Sequence, residues 1–306
     1  MRPAVLHLDT ALDAQPGLAQ AVAERAGSWV DCRDLGPALR LWSRPGALGQ
    51  LRDRLRTALP AAMGPLATFS GSGDFHHITP LLLARAIEAA GDPTVTLIHF
   101  DNHPDWVTFA DGAHCGSWVG CAARLPQVAR VLTVGVCSDD IRQPERKRAD
   151  LALVAEDKVE LYAYRAPDGG PRVAIAGREW ATIEAMGEAA FVDFLATRIA
   201  TPAIYVTIDK DVLRAQDGAT NWDQGRTSLG FLAAMLSRIA AGHRLIGADI
   251  VGDWSTPVYG GGPVTRLLKR GEAMLDQPWL RPSAGARAAG AATNLVLLGL
   301  FTGRCG

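Results

Sequence analysis

The chain has 306 residues, is 48% hydrophobic and 21% charged, and carries a formal net charge of -1. This composition excludes a disordered protein, and a charge so close to neutral gives no electrostatic reason for nucleic acid or an anionic membrane as partner, which leaves a small molecule. The length fits one large α/β domain over 1–306, with no linker-like stretch dividing it.

Read from the amino end, residues 1–9 meet a charge too early for a secretory segment, and 4–8 form the first β-rich run. Further runs follow at 66–70, 95–100, 130–136, 172–176, 203–208 and 244–250. Helical periodicity lies between them at 78–90, 180–199, 228–241 and 264–275, and 288–301 reads as a terminal helix whose apolar part, 295–301, is too short to span a bilayer. The alternation predicts a three-layer α/β/α fold with a mainly parallel central sheet. Ligands of such sheets bind outside the carboxyl ends of the strands, where Asp74, Asp101, Asp209 and Asp249 all fall. The five cysteines include no CxxC pair and are odd in number, so neither a disulfide framework nor a zinc knuckle is supported and a reducing cytoplasm is expected.

Two of those strand ends carry chemistry. Asp101-Asn102-His103-Pro104-Asp105 follows the run at 95–100, and Asp209-Lys210-Asp211 follows the run at 203–208. Side chains two apart on an extended segment share a face, so Asp101, His103 and Asp105 are expected to converge on one point while Asp209 and Asp211 converge from another strand. Crowded carboxylates repel one another unless a divalent cation sits among them, and carboxylate with imidazole suits manganese and its neighbours. A third segment, Ser70-Gly71-Ser72-Gly73-Asp74-Phe75-His76-His77, has glycines for a tight strand-to-helix turn that aims one imidazole at the same crevice. Taken singly, each piece has a plainer reading, since a strand-end Asp is often a helix cap. Together they carry the metal reading.

In this order the three segments resemble the Gly-Gly-Asp-His, Asp-Ala-His-x-Asp and Ser-x-Asp-x-Asp segments of the arginase/agmatinase (ureohydrolase) family. The resemblance implies an arginase/deacetylase-like fold and two divalent ions, manganese by default, with nickel, iron or zinc also compatible. His76, Asp101, Asp105 and Asp209 would hold one ion, and His103, Asp101, Asp209 and Asp211 the other, with His77 as the substitute for His76. A hydroxide bridging the ions would be the nucleophile. The resemblance also implies His114 as the proton shuttle to the leaving amine, helped by solvent at Asp105, and a homo-oligomer, trimer or hexamer. Cys115, beside His114, reads as a small buried side chain.

Two departures from the family pattern bear on the substrate. The family glutamate that binds a guanidinium group is matched by Gly252, and Asp253 replaces it in catalysis and substrate binding only if the loop shifts by one residue. The loop after Asp211 also differs, and Asn221, Trp222 and Asp223 are expected to line the substrate pocket. The expected reaction is hydrolysis of a C–N bond in a guanidino, formimino or related compound. Two competing readings are a single-zinc, deacetylase-like amidohydrolase using the His76-His77 pair and a metal-bound family member without catalysis. The basic stretch 142–148 contains Glu145 and reads as a solvated face, and Trp106 and Trp118 read as core.

Overall fold

A computed structural model describes residues 1–278 and 281–303, and Cys305 lies outside the described residues. Eight strands form one sheet: β1 (Arg2–His7), β2 (Ser28–Asp31), β3 (Leu66–Phe69), β4 (Val95–Phe100), β5 (Val128–Val134), β6 (Val159–Tyr162), β7 (Ala203–Asp209) and β8 (Arg244–Val251). Their order is β2-β1-β3-β8-β7-β4-β5-β6, and every neighbouring pair is parallel. All carboxyl ends therefore open on one edge. The central strands β4 and β7 are buried along their whole length, which is why they read as continuous apolar runs rather than alternating ones.

Among the described residues the α-helices of six or more residues are α1 (Pro16–Glu24), α2 (Pro45–Ala58), α3 (Thr79–Ala89), α4 (Trp118–Ala123), α5 (Glu188–Thr197), α6 (Leu229–Gly242), α7 (Pro263–Asp276) and α8 (Ala284–Thr302). One core joins Leu97, Val131 and Tyr205 of the sheet to Leu51 of α2, Leu83 of α3 and Val119 of α4. The other joins Ile98, Leu132 and Val206 to Leu18 of α1, Phe191 of α5, Leu232 of α6 and Leu297 of α8. Alternate residues of each strand thus feed opposite layers, giving the expected three-layer α/β/α architecture. α7 belongs to neither layer: the only side chain it buries is Lys269.

Several expectations are corrected. The run at 172–176 leaves the main sheet and pairs with Arg178–Ala181 in a separate antiparallel hairpin. The helix expected over 180–199 is broken, because Thr182 caps a short turn at Ile183–Met186 and Gly187, at φ +84°, separates that turn from α5. β2, β6, α1, α2 and α4 had no sequence counterpart, being short or, in α2, rich in charge. α8 is longer than its apolar stretch suggested, and by length and composition it is long and apolar enough to cross a bilayer. It packs instead against α1, α6, β1 and β3.

Candidate metal centre

Parallel register lays a buried polar row across five strands. Thr68 of β3 lies beside Asp249 of β8, Asp249 beside Thr207 of β7, Thr207 beside His99 of β4, and His99 beside Thr133 of β5. All five are buried, and two neighbouring pairs are hydrogen-bonded: Thr207 Oγ1 donates to Asp249 Oδ1 over 2.7 Å, and His99 Nδ1 lies 3.2 Å from Thr133 Oγ1. This row is the floor on which the acidic residues stand. Asp249 therefore lies inside β8, beneath the crevice rather than in it. Asp74 is also elsewhere, in a buried ion pair 2.6 Å from Arg40 Nε, where Trp222 and Gln277 also donate to it.

Above the floor the loops after β3, β4 and β7 meet. His76 Nδ1 lies 3.1 Å from an oxygen of Asp101, 3.1 Å from one of Asp105 and 3.7 Å from one of Asp209. His103 Nδ1 lies 2.9 Å from Asp211 Oδ2 and 3.6 Å from Asp101 Oδ1. Ligand atoms of His76, His99, Asp101 and Asp105 all fall within 4.8 Å of one another, as do those of Asp101, His103 and Asp211, so Asp101 belongs to both groups. Strand alternation places only Asp101, just past the end of β4. His103 and Asp105 arrive through a turn in which Asp105 takes φ +49°, with its Oδ2 accepting the Trp118 indole N–H over 2.6 Å. Gly73 allows the close approach, because a Cβ there would collide with Asp209 Oδ2.

The outer hydrogen bonds orient both rings. Thr207 gives its one proton to Asp249, so the 2.8 Å bond between Thr207 Oγ1 and His76 Nε2 needs the ring to donate. That leaves Nδ1 of His76 as the nitrogen that would bind a metal, buried and facing three carboxylates. His103 lies between two carboxylates, with Nε2 2.9 Å from Asp223 Oδ1 and Nδ1 2.9 Å from Asp211 Oδ2. Such outer partners commonly fix metal-binding imidazoles. Thr207→Val is expected to free the His76 tautomer and weaken manganese binding about 10- to 100-fold. Competition with a metal indicator dye reads the change, and unaltered affinity would leave Thr207 a packing residue.

The electrostatics call for a cation. Burial pushes the carboxyls of Asp105 and Asp211 up, and the charge of Asp101 adds to it; the same two causes raise Asp209 to about 7. Asp101 alone is held well below the usual range, where burial is outweighed by hydrogen bonds from His103, His76 and His99. Burial opposes a charged His76, yet the hydrogen bonds of Asp101 and Asp105 hold its pKa well above the ordinary value. Such shifts mark a cluster that disfavours several bare carboxylates side by side, and the donor set, carboxylates with two imidazoles, fits divalent ions. His77 joins neither group. Burial, with the nearby charges of His114, Lys269 and His76, pushes it down to about 3, and neither ring nitrogen finds a partner.

The cluster opens into a cavity of about 530 Å³ bordered by His114, Trp222, Asp223, Leu275 and Asp276 as well as the inner aspartates. Trp222 lies on its wall as expected, whereas Asp223 both lines it and orients His103. Asn221 does not reach it, being bonded in the interior to Ser72 and Ser255. Asp253 is likewise turned away, its carboxylate accepting Lys210 Nζ over 2.6 Å and Gln15 Nε2 over 2.7 Å, with Asn294 beside them. The one-residue shift that would make it a substrate anchor is absent. His114 borders the cavity, with Nδ1 accepting the Gly116 N–H over 2.8 Å and Nε2 hydrogen-bonded to Glu272. Glu272 comes from α7 and also accepts the Trp42 indole N–H over 3.0 Å. Neither Glu272 nor Thr207 was a site residue in the sequence reading. His99 was also missed, although it stands two before Asp101 and shares its face, a spacing that was there to be read.

Comparison with known proteins places the chain in a family and its fold among solved structures. The family model described as Arginase family matches residues 11–253. No curated protein matches the chain significantly. Among solved structures, an arginase from Bacillus caldovelox is 14% identical, with 100% of this chain and 99% of that chain covered and a TM-score of 0.61. A hypothetical agmatinase from Burkholderia thailandensis is 18% identical, covering 99% and 85%, at 0.59. A formimidoylglutamase from Bacillus subtilis is 14% identical, covering 98% and 85%, at 0.55. At such identities the structural likeness concerns the fold.

Proposed function

The chain belongs to the arginase family, and from that premise we propose that it is a binuclear, metal-dependent hydrolase that cleaves a C–N bond of a guanidino, formimino or related small molecule. The observation that carries this reading is the buried Nδ1 of His76 facing Asp101, Asp105 and Asp209. We assign His76, Asp101, Asp105 and Asp209 to one ion and His103, Asp101, Asp209 and Asp211 to the other. Bound there, two divalent ions supply Lewis acidity and lower the pKa of water toward about 7.

The chain's own residues do the rest. Thr207 and Asp223 orient the two imidazoles, and the Trp118 indole holds Asp105. His114 carries its proton on Nε2, shares it with Glu272, and stands at the cavity edge, where it passes a proton to the leaving nitrogen. Trp222 offers a flat apolar wall to the substrate. We read manganese as the metal, residues 1–306 as one domain, the cytoplasm as the compartment and a homo-oligomer as the assembled state.

The test is the metal content of protein isolated without chelating resin, followed by a screen of guanidino, formimino and acetamide compounds. About two manganese, nickel or iron ions per chain with release of urea, formamide or ammonia is the expected result. One zinc with acetate release would favour the deacetylase-like reading, and metal without turnover the non-catalytic one.

A further inference from the structure

α7 is built inside out. Val264, Leu267, Leu268, Met274 and Leu275 are 71, 71, 60, 54 and 86% exposed. The buried residue is a lysine, Lys269, whose Nζ donates to Ala38 O over 3.0 Å and lies 4.6 Å above the Trp42 ring. At about 100° per residue the five apolar side chains fall into one stripe roughly 120° wide, with Gly271 near its centre. A Cβ at Gly271 would meet nothing within 4 Å, so the middle of the stripe is a notch open to another backbone. Basic Arg266 and Arg270 lie to one side of the stripe, and acidic Glu272 and Asp276 to the other.

We propose that this stripe seats α7 of a second copy of the chain, the two helices running parallel about a two-fold axis. In that arrangement the basic side of each helix faces the acidic side of the other, as in parallel coiled coils. An antiparallel crossing at Gly271 would instead set Arg270 against its own copy. An anionic bilayer is the poorer occupant, because it would attract the arginines and repel Glu272 and Asp276. The contact borders the cavity: Leu275 lies on its wall, and Glu272 of the same helix holds His114. Pairing would therefore fix the helix that positions the proton-transfer group. The inference does not depend on the metal chemistry, and a two-fold contact is compatible with either a dimer or a hexamer.

Sedimentation of the full-length protein is expected to give an even number of chains, and Leu268→Glu, at an exposed position, should halve that mass while the thermal unfolding midpoint stays within a few degrees. Val264→Cys reports the direction of the helices. A parallel pair brings the two introduced thiols together, so mild oxidation should link them, with the wild-type protein, whose Cys121 is also exposed, as the control. A wild-type chain that sediments as a monomer, an oligomer indifferent to Leu268→Glu, or no Val264→Cys crosslink would each overturn the proposal. So would a monomer that floats with phosphatidylserine/phosphatidylcholine vesicles.

Discussion

Asp101→Ala combined with Asp209→Ala should leave the protein folded and without metal. Asp101 belongs to both groups of converging ligand atoms, and Asp209 faces His76 at 3.7 Å, so the pair removes the carboxylates at the middle of the cluster. Turnover of any substrate found for the wild type should fall on the order of 10³-fold or more, since residues that act as a unit are lost together. Stability should respond in a way that simple damage would not. With manganese at about 100 times its dissociation constant, each ion binding only the folded state adds roughly 2.7 kcal/mol to the wild type and nothing to the variant. Without metal the gap should narrow: burial and the charge of Asp101 raise Asp209 to about 7, so its removal relieves repulsion, while loss of Asp101, held well below the usual range by its histidine hydrogen bonds, still costs stability. Calorimetric melting of both proteins, with manganese and with chelator, reads all four states. A gap between variant and wild type that is the same with chelator as with manganese would mean that these carboxylates hold the fold together rather than a metal.

The sequence carried the parts of this site that lie on or just after single strands. β4 and β7 are uninterrupted buried runs, so their ends, and with them Asp101 and Asp209, could be placed from the apolar pattern alone. The supporting layer depends on register, which a single chain does not display. Thr207 and Asp249 meet only because β7 and β8 pair with these residues side by side, some forty positions apart. Glu272 is harder still, since it reaches His114 from a helix on the rim that belongs to neither core layer. Asp253 misled for a physical reason: its charge, next to the glycine at the family's anchor position, suggested a replacement, yet the buried amine of Lys210 claims it. Lys210 itself sits between two proposed ligands, in the 3-10 turn Lys210–Val212 that follows β7, and its amine bonds Asp253 and Asn294 instead.

Restoring the glutamate at the anchor position should destroy the site rather than complete it. Gly252 has φ +92°, and a Cβ built there would overlap Asp209 Oδ1 and come within 2.5 Å of the Lys210 backbone nitrogen. Neither side gives way easily, because Asp209 Oδ1 accepts the Asp211 N–H over 3.0 Å, Lys210 O accepts the Leu213 N–H over 3.1 Å, and the Asp253 N–H ties the Gly252 loop to Gly71 O over 2.9 Å. Backbone strain and overpacking each cost about 1–3 kcal/mol, so Gly252→Glu is expected to lose roughly 2–6 kcal/mol of stability and to bind manganese poorly. Gly252→Ala separates the causes, since it adds the same Cβ without a charge. If sterics govern, the alanine variant should lose most of the same stability and metal affinity, read by chemical denaturation and metal titration. If the site merely lacks an anchor, alanine should be tolerated and glutamate should bring new hydrolysis of guanidino compounds. The close approach of Gly252 to Asp209, a proposed ligand, argues for the first outcome, and under the proposed function it leaves the cavity wall, with Trp222 and Leu275 of α7, to meet the substrate.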